Sequence, residues 1–310
     1  MKIRANGIEI EIEDSATDSP QVPDAKARPV VLLIMGLGMQ LIAWPPQFVQ
    51  ALIDAGYRVV RMDNRDVGLS QNFDHLGKPN LVWAGIKYKL GLPQRPPYTL
   101  TDMAADAIGV LDALDIAQAH IVGVSMGGMI AQRVAIAAPK RVLSLTSVMS
   151  SSGAKGLPPA RRTVTRVLLS RPENNSPTAV VDHYIKLFKV IGSPAFPTPE
   201  LEMRERVMRG VVRSFHPVGT MRQMMAIVSD KDRYAKLPRV TCPTLVVHGV
   251  EDPLVPHSHG ADTARRIPRA RLVSVQGMGH DLPPEPVRHM LDALIPHLQA
   301  ADQTESRGAA

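Results

Sequence analysis

The chain has 310 residues, of which 45% are hydrophobic, 21% charged and 4% aromatic, with a formal net charge of +7 and one cysteine, Cys242. A single cysteine rules out an intrachain disulfide and a multi-cysteine metal site, and scarce aromatics without a nucleic-acid motif argue against nucleic-acid binding. No apolar run approaches the roughly 20 residues of a membrane helix, and the start, MKIRANGIEIEIED, lacks a signal-peptide core, so no stable membrane insertion and a cytoplasmic location are expected.

Asn6-Gly7 is a hairpin signal, and Ile8, Ile10 and Ile12 then alternate with Glu9, Glu11 and Glu13 as a strand with one wet face. Residues 14–29 read as a loop. PVVLLIMG (29–36) is apolar throughout, as in a parallel sheet covered on both sides. A helix from Pro45 through Ala55, closed by Gly56, leads to the strand YRVVRMDN (57–64). A polar, turn-rich excursion from Asp66 to Tyr98 precedes a helix over Thr101–Leu114, with Met103, Ala107, Leu111 and Leu114 on one face. HIVGV (120–124), a helix over Met126–Ala138 stopped by Pro139, and VLSLTSVM (142–149) continue the alternation.

Residues 153–238 break this rhythm, with helical pieces separated by GLPP, SRPENNSP and GSPAFPTPE and no clear strand. They hold 15 Lys/Arg against 7 Asp/Glu, so all of the basic excess lies there. It is either a solvated helical surface or an attraction for anionic substrates. PTLVVHG (243–249), a helix near Ser258–Arg266, RLVSVQG (271–277) and a helix over 285–299 then resume the α/β pattern. The expected architecture is α/β: a mostly parallel sheet with an N-terminal antiparallel hairpin, helices on both faces and a helical insertion. Residues 1–152 and 239–300 form the core, 153–238 the insertion, and 301–310 a tail expected to be disordered.

The stretch VVLLIMGLGMQ ends a strand in Gly36-Leu37-Gly38 and admits two readings. A dinucleotide site fits the glycines and Asp63 at the end of the next strand, a ribose-binding position. Against it, Leu41 stands where a third glycine or alanine belongs, and WPPQF arrives where the helix under a pyrophosphate should begin. The alternative is a loop serving a serine nucleophile. Gly123-x-Ser125-x-Gly127 lies between a strand and a helix, where a sharp turn would present the hydroxyl above the sheet.

Serine needs a base, and the base an orienting acid. Partners of such a serine follow in the order acid, then histidine, each after a strand. Asp252 in VVHGVEDPLVP and His280 in VSVQGMGHDLP occupy those places, with Glu251 the nearest competing carboxylate. The remaining histidines carry no such motif, and His257-x-His259 lacks further ligands for a metal.

With these residues in view, the chain resembles the α/β-hydrolase family through MGLGMQ, DNRDVGLS, GVSMGG, GVEDPLVP and GMGHDLP, from about residue 30 to 295. GLGMQLIAWP and QGMGHDLP look especially like bacterial esterases of the aclacinomycin methylesterase type. Two positions depart: Met35 stands where the family often has histidine before Gly36, and Asp66 where it often has glycine after Arg65. What braces the loop in place of that histidine is left open by the sequence.

The resemblance implies a serine carboxylesterase for small to medium apolar esters, with catalytic Ser125, Asp252 and His280 and oxyanion donors in the backbone N–H groups of Leu37 and Met126. No cofactor and no metal is implied. The same triad also serves lipases, polyketide methylesterases, lactonases, carbon–carbon hydrolases and cofactor-free perhydrolases, and the scaffold can also carry a non-catalytic receptor. Residues 153–238 would cap the pocket, with Met203, Met208, Met221, Met224, Met225 and Trp44 as candidate lining or as ordinary core. Oligomeric state has no sequence signal.

Overall fold

The computed structural model describes residues 1–18, 25–90, 92–174 and 176–308. Part of the expected 14–29 loop and the last two residues of the expected tail lie outside them.

Strands β1 (Lys2–Ala5) and β2 (Ile8–Asp14) pair antiparallel through a turn in which Asn6 and Gly7 have φ of 48° and 78°. Two positive φ values in a row define the type I′ turn that the Asn-Gly pair favours. A short helix α1 (Ser15–Asp18) follows. Next come β3 (Val30–Ile34), α2 (Pro46–Asp54), β4 (Arg58–Met62), α3 (Leu81–Lys89), α4 (Leu100–Ala113), β5 (Ala119–Val124), α5 (Met126–Ala137) and β6 (Val142–Val148). Five helices then intervene: α6 (Arg162–Leu168), α7 (Pro177–Ile191), α8 (Glu200–Arg213), α9 (Pro217–Ser229) and α10 (Arg233–Lys236). The chain closes with β7 (Thr244–Gly249), α11 (Ser258–Arg266), β8 (Arg271–Val275) and α12 (Pro284–Gly308).

Among the described residues eight strands form one sheet in the order β1-β2-β4-β3-β5-β6-β7-β8. β1, β2 and β4 pair antiparallel, and every other pair is parallel. Strand alternation sorts the apolar run of β3 onto two faces. Leu32 and Ile34 join a core with Met103, Leu111 and Ile130 of α4 and α5. Val31 and Leu33 join a second core with Phe48 and Leu52 of α2 and Leu294 and Leu298 of α12. Both faces are covered, which is why β3 and β5 are buried at every position.

Three segments differ from the sequence reading, the first being the expected 14–29 loop, which holds α1. The excursion between Asp66 and Tyr98 contains α3, whose apolar run lacks the facing periodicity that marks a core helix. The expected disordered tail instead continues α12 to Gly308. Ala301 is buried there, and Asp302 accepts a hydrogen bond from the Tyr57 hydroxyl at 2.9 Å and faces His120 Nε2 at 3.0 Å. Those contacts anchor the helix beyond the point where its sequence turns polar.

Candidate active site

Gly123 and Gly127 make the turn at the end of β5 possible. A Cβ on Gly123 would lie 2.1 Å from the Gly127 carbonyl oxygen, and one on Gly127 would lie 2.1 Å from that of Ile34. Between them Ser125 takes φ 55°, ψ −117°, a conformation that strains any residue with a side chain. The Ser125 N–H donates to the Val148 carbonyl at 2.9 Å, and the Ser150 hydroxyl donates to the Ser125 carbonyl at 2.7 Å. Bonds from the neighbouring strand thus hold the strained turn.

His280 enters from the loop after β8, and its N–H is tied to the Ile191 carbonyl at 2.7 Å. Its Nε2 lies 3.0 Å from Ser125 Oγ and its Nδ1 2.7 Å from Asp252 Oδ2. A carboxylate only accepts, so Nδ1 carries the proton and Nε2 accepts from the serine hydroxyl. Asp252 follows β7, and its Oδ1 accepts from the N–H groups of Leu254 and Val255 at 2.9 and 2.8 Å. Burial pushes its pKa up, but His280 and His248 outweigh that and hold the carboxyl well below the usual range. Glu251, the competing carboxylate, points elsewhere and accepts from the Gly277 N–H.

The Gly36-Leu37-Gly38 loop passes directly beside the serine. A Cβ on Gly36 would lie 3.2 Å from Ser125 Cβ. The N–H groups of Leu37 and Met126 find no protein acceptor among the described residues. The loop leads into a 3-10 turn at Leu41–Ala43, and α2 begins only at Pro46, so no helix N-terminus faces the glycines. Asp63 does not face a ligand either: its buried carboxylate accepts from the N–H groups of Leu41 and Leu69 and from Arg213. The dinucleotide reading therefore fails on geometry.

What braces the loop in place of the usual histidine is now visible. Met35 is buried in the core, and its carbonyl accepts from Asn64 Nδ2 at 2.9 Å. Gln223 of α9, fully buried, accepts from the Gly38 N–H at 2.9 Å and donates to the Arg65 carbonyl at 2.8 Å. Gln40 donates to the carbonyls of Gly210 and Ser214 at 2.7 Å. Sequence reasoning missed Gln223, Gln40 and Asn64, because nothing in one sequence ties a helix in the 153–238 segment to a loop near residue 38.

Ser125, His280 and Leu37 line a largely apolar cavity of about 250 Å³, together with Tyr184, Phe188, Met203, Val207 and Phe215. Of the methionines expected there, only Met203 takes part. On α8 the cavity is lined by Met203, Arg206, Val207, Arg209, Gly210 and Val211, and Met208 takes no part. On α9 Pro217 and Thr220 face it, and Met221, Met224 and Met225 do not. Trp44 takes the core alternative: it stacks on Phe48 at 5.0 Å in the core and borders a separate outer cleft, so it is not a lining residue of this cavity.

The basic excess of residues 153–238 is neither all solvated nor all aimed at substrate. Arg206 and Arg209 line the cavity. Arg213 pairs with Asp63, Arg222 with Asp66 and Asp74, and Arg233 with Asp230, so part of the charge fixes the segment internally. His257 and His259 bond to Ser274, Ser151 and the Pro158 carbonyl, and no metal-binding cluster exists among the described residues.

Comparison with known proteins identifies the family and the fold. The α/β-hydrolase-fold family matches residues 29–286. The rhodomycin D methylesterase DauP of Streptomyces sp. (strain C5) is 30% identical over 292 residues, covering 87% of this chain and 91% of that protein. The fold is shared with the enol-lactonase of Burkholderia xenovorans LB400 (TM-score 0.67, 20% identity, 96% and 100% of the two chains). It is also shared with a meta-cleavage product hydrolase of Pseudomonas fluorescens IP01 (TM-score 0.70, 20% identity, 97% and 98%). The chain therefore belongs to the α/β-hydrolase family and is an enzyme of the hydrolase class.

Proposed function

We propose that the protein is a serine carboxylesterase that cleaves small to medium apolar esters through an acyl-enzyme. The observation that carries this reading is the hydrogen-bonded series Ser125–His280–Asp252, opening into an apolar cavity beside two unpartnered N–H groups. His280 Nε2 takes the Ser125 proton as Oγ attacks the ester carbonyl. Asp252, held ionised, fixes the Nδ1–H tautomer and stabilises the imidazolium. The N–H groups of Leu37 and Met126 receive the oxyanion, each such donor worth about 3 kcal/mol in the transition state. The imidazolium then protonates the leaving alcohol, and water, activated by the same His280, releases the acid.

In this scheme residues 153–238 act as a cap that supplies most of the apolar wall. The methylesterase relative favours methyl esters of larger acids over long-chain triglycerides as the substrates to test first.

A fluorophosphonate should label Ser125 alone and abolish hydrolysis of a p-nitrophenyl ester. Ser125→Ala should lower kcat by several orders of magnitude with the fold intact. Labelling at another residue, or full activity in Ser125→Ala, would overturn the assignment.

A further inference from the structure

Among the described residues, seven of the eleven large hydrophobic side chains left exposed fall between Leu69 and Leu92. They centre on α3. Ala84 is the buried side of that helix, which packs against α9. Val82, Trp83, Ile86 and Leu90 stand 77%, 52%, 42% and 66% exposed. Surface clustering of this kind marks an interaction site rather than scattered exposure.

The charge beside it is mainly basic, and the exposed carboxylate at its edge, Asp74, is already paired with His216 and Arg222. From His75 to Thr101 the sequence holds Lys78, Lys87, Lys89 and Arg95 and no Asp or Glu. Lys87 Nζ sits 5.7 Å over the Trp83 ring, and Lys231 reaches the same border by donating to the Leu92 carbonyl at 3.2 Å. A two-fold pairing with a second copy would set these bases against themselves, since such an interface matches a patch to itself. An anionic lipid surface answers both features: apolar side chains enter the headgroup boundary while the bases meet the phosphates.

We propose that α3, with Leu76 and Leu92 on its flanks, forms a peripheral docking surface for an anionic lipid bilayer. Trp83 is its interfacial anchor, a position tryptophan favours at membrane boundaries. Among the described residues no helix is long and apolar enough to cross a membrane, so the attachment is reversible and lateral. The surface adjoins the cavity: Val67 and Gly68, just before Leu69, line it, as do Pro217 and Thr220 of the supporting α9. Docking would bring the cavity region to the membrane plane. The proposal does not rest on the ester-hydrolase reading, because binding is measured without turnover.

The chain has two tryptophans, and Trp44 is 1% exposed, so a lipid-induced blue shift in emission reports Trp83. The full-length protein should shift and co-sediment with equimolar phosphatidylcholine–phosphatidylglycerol vesicles, and bind vesicles of phosphatidylcholine alone at least about tenfold more weakly. Lys78→Glu with Lys87→Glu should weaken binding by about tenfold or more. Trp83→Ser with Ile86→Ser should abolish co-sedimentation and leave hydrolysis of a water-soluble ester unchanged. No co-sedimentation, equal binding to both vesicle types, or a solution dimer that the Trp83→Ser/Ile86→Ser variant dissociates would each overturn the proposal.

Discussion

Gln223 illustrates how much a single buried side chain can do without touching the reacting atoms. Its amide accepts from Gly38 on one side and donates to Arg65 on the other, so it fixes the peptide next to the Leu37 N–H. Gly38 itself has φ 67°, and a Cβ there would meet Thr220 Oγ1 at 2.8 Å, so the loop is packed against α9 with no slack. Gln223→Leu removes both bonds and leaves the buried Arg65 carbonyl and the part-buried Gly38 N–H unpaired, a loss of about 1–3 kcal/mol for the buried carbonyl and less for the N–H. As a positioning residue for the proposed oxyanion donor, Gln223 should act mainly on kcat. We expect a fall of about ten- to a hundredfold with KM changed less than threefold. Gln223→Glu keeps the acceptor for Gly38 and loses the donor to Arg65, so it should recover part of the rate. A purely structural role would predict a stability loss with kcat intact in the surviving folded fraction.

At the scale of elements, the helices between β6 and β7 are pinned to the sheet side by buried ion pairs. Arg222 of α9 and Asp66 after β4 are both inaccessible and meet through two bonds of 2.8 Å. Burial pushes the Asp66 carboxyl up, but Arg222 and the Phe73 N–H bring it below its ordinary value. Arg222→Met leaves that carboxylate buried without its guanidinium partner, which should cost about 3–5 kcal/mol. Replacing both residues, with Asp66→Asn, should cost less than the two single losses added. Urea unfolding of the three variants gives the coupling directly, and strict additivity would show that the pair does not act as a unit. These tethers also explain what a single sequence could and could not disclose. The strands, α4 and α5 were legible because their periodicity and turn residues are local, as were Ser125, Asp252 and His280 through their motifs. The segment 153–238 was not, because the contacts that fix it join residues 150 positions apart for Arg213–Asp63 and 156 for Arg222–Asp66. Which face of α8 lines the cavity follows from those contacts, and so the choice among the methionines could not be made from spacing alone.

For the whole molecule, the depressed carboxylates and the histidines lowered by burial both lose stability as pH falls, but in separable windows. Asp66, Asp252, Asp262 and Asp302 are all held below their ordinary values, so their stabilisation persists until the pH falls below about 4. Asp63, Asp106 and Asp281 are raised by burial and gain relative stability as they protonate. Between neutrality and pH 4 the losing side is the histidines whose pKa is lowered first by desolvation, His183, His257, His259 and His297, and His297 on α12 is the clearest. Burial first, then the charges of Arg271 and His120, lower its pKa from 6.5 to about 4. In that window the unfolded chain binds a proton at this site and the folded chain does not, so stability falls as pH drops from 6.5 and levels off near 4. At about 1.4 kcal/mol per unit the full effect is at most about 3 kcal/mol. His297→Gln removes the titration and keeps a polar side chain of similar length. The difference in unfolding free energy between wild type and variant should therefore change by about 2–3 kcal/mol between pH 7.5 and 4.5, with wild type the more acid-sensitive. Taking the difference cancels the carboxylate terms common to both proteins. A pH-independent difference would mean that His297 protonates in the folded protein as readily as in the unfolded chain.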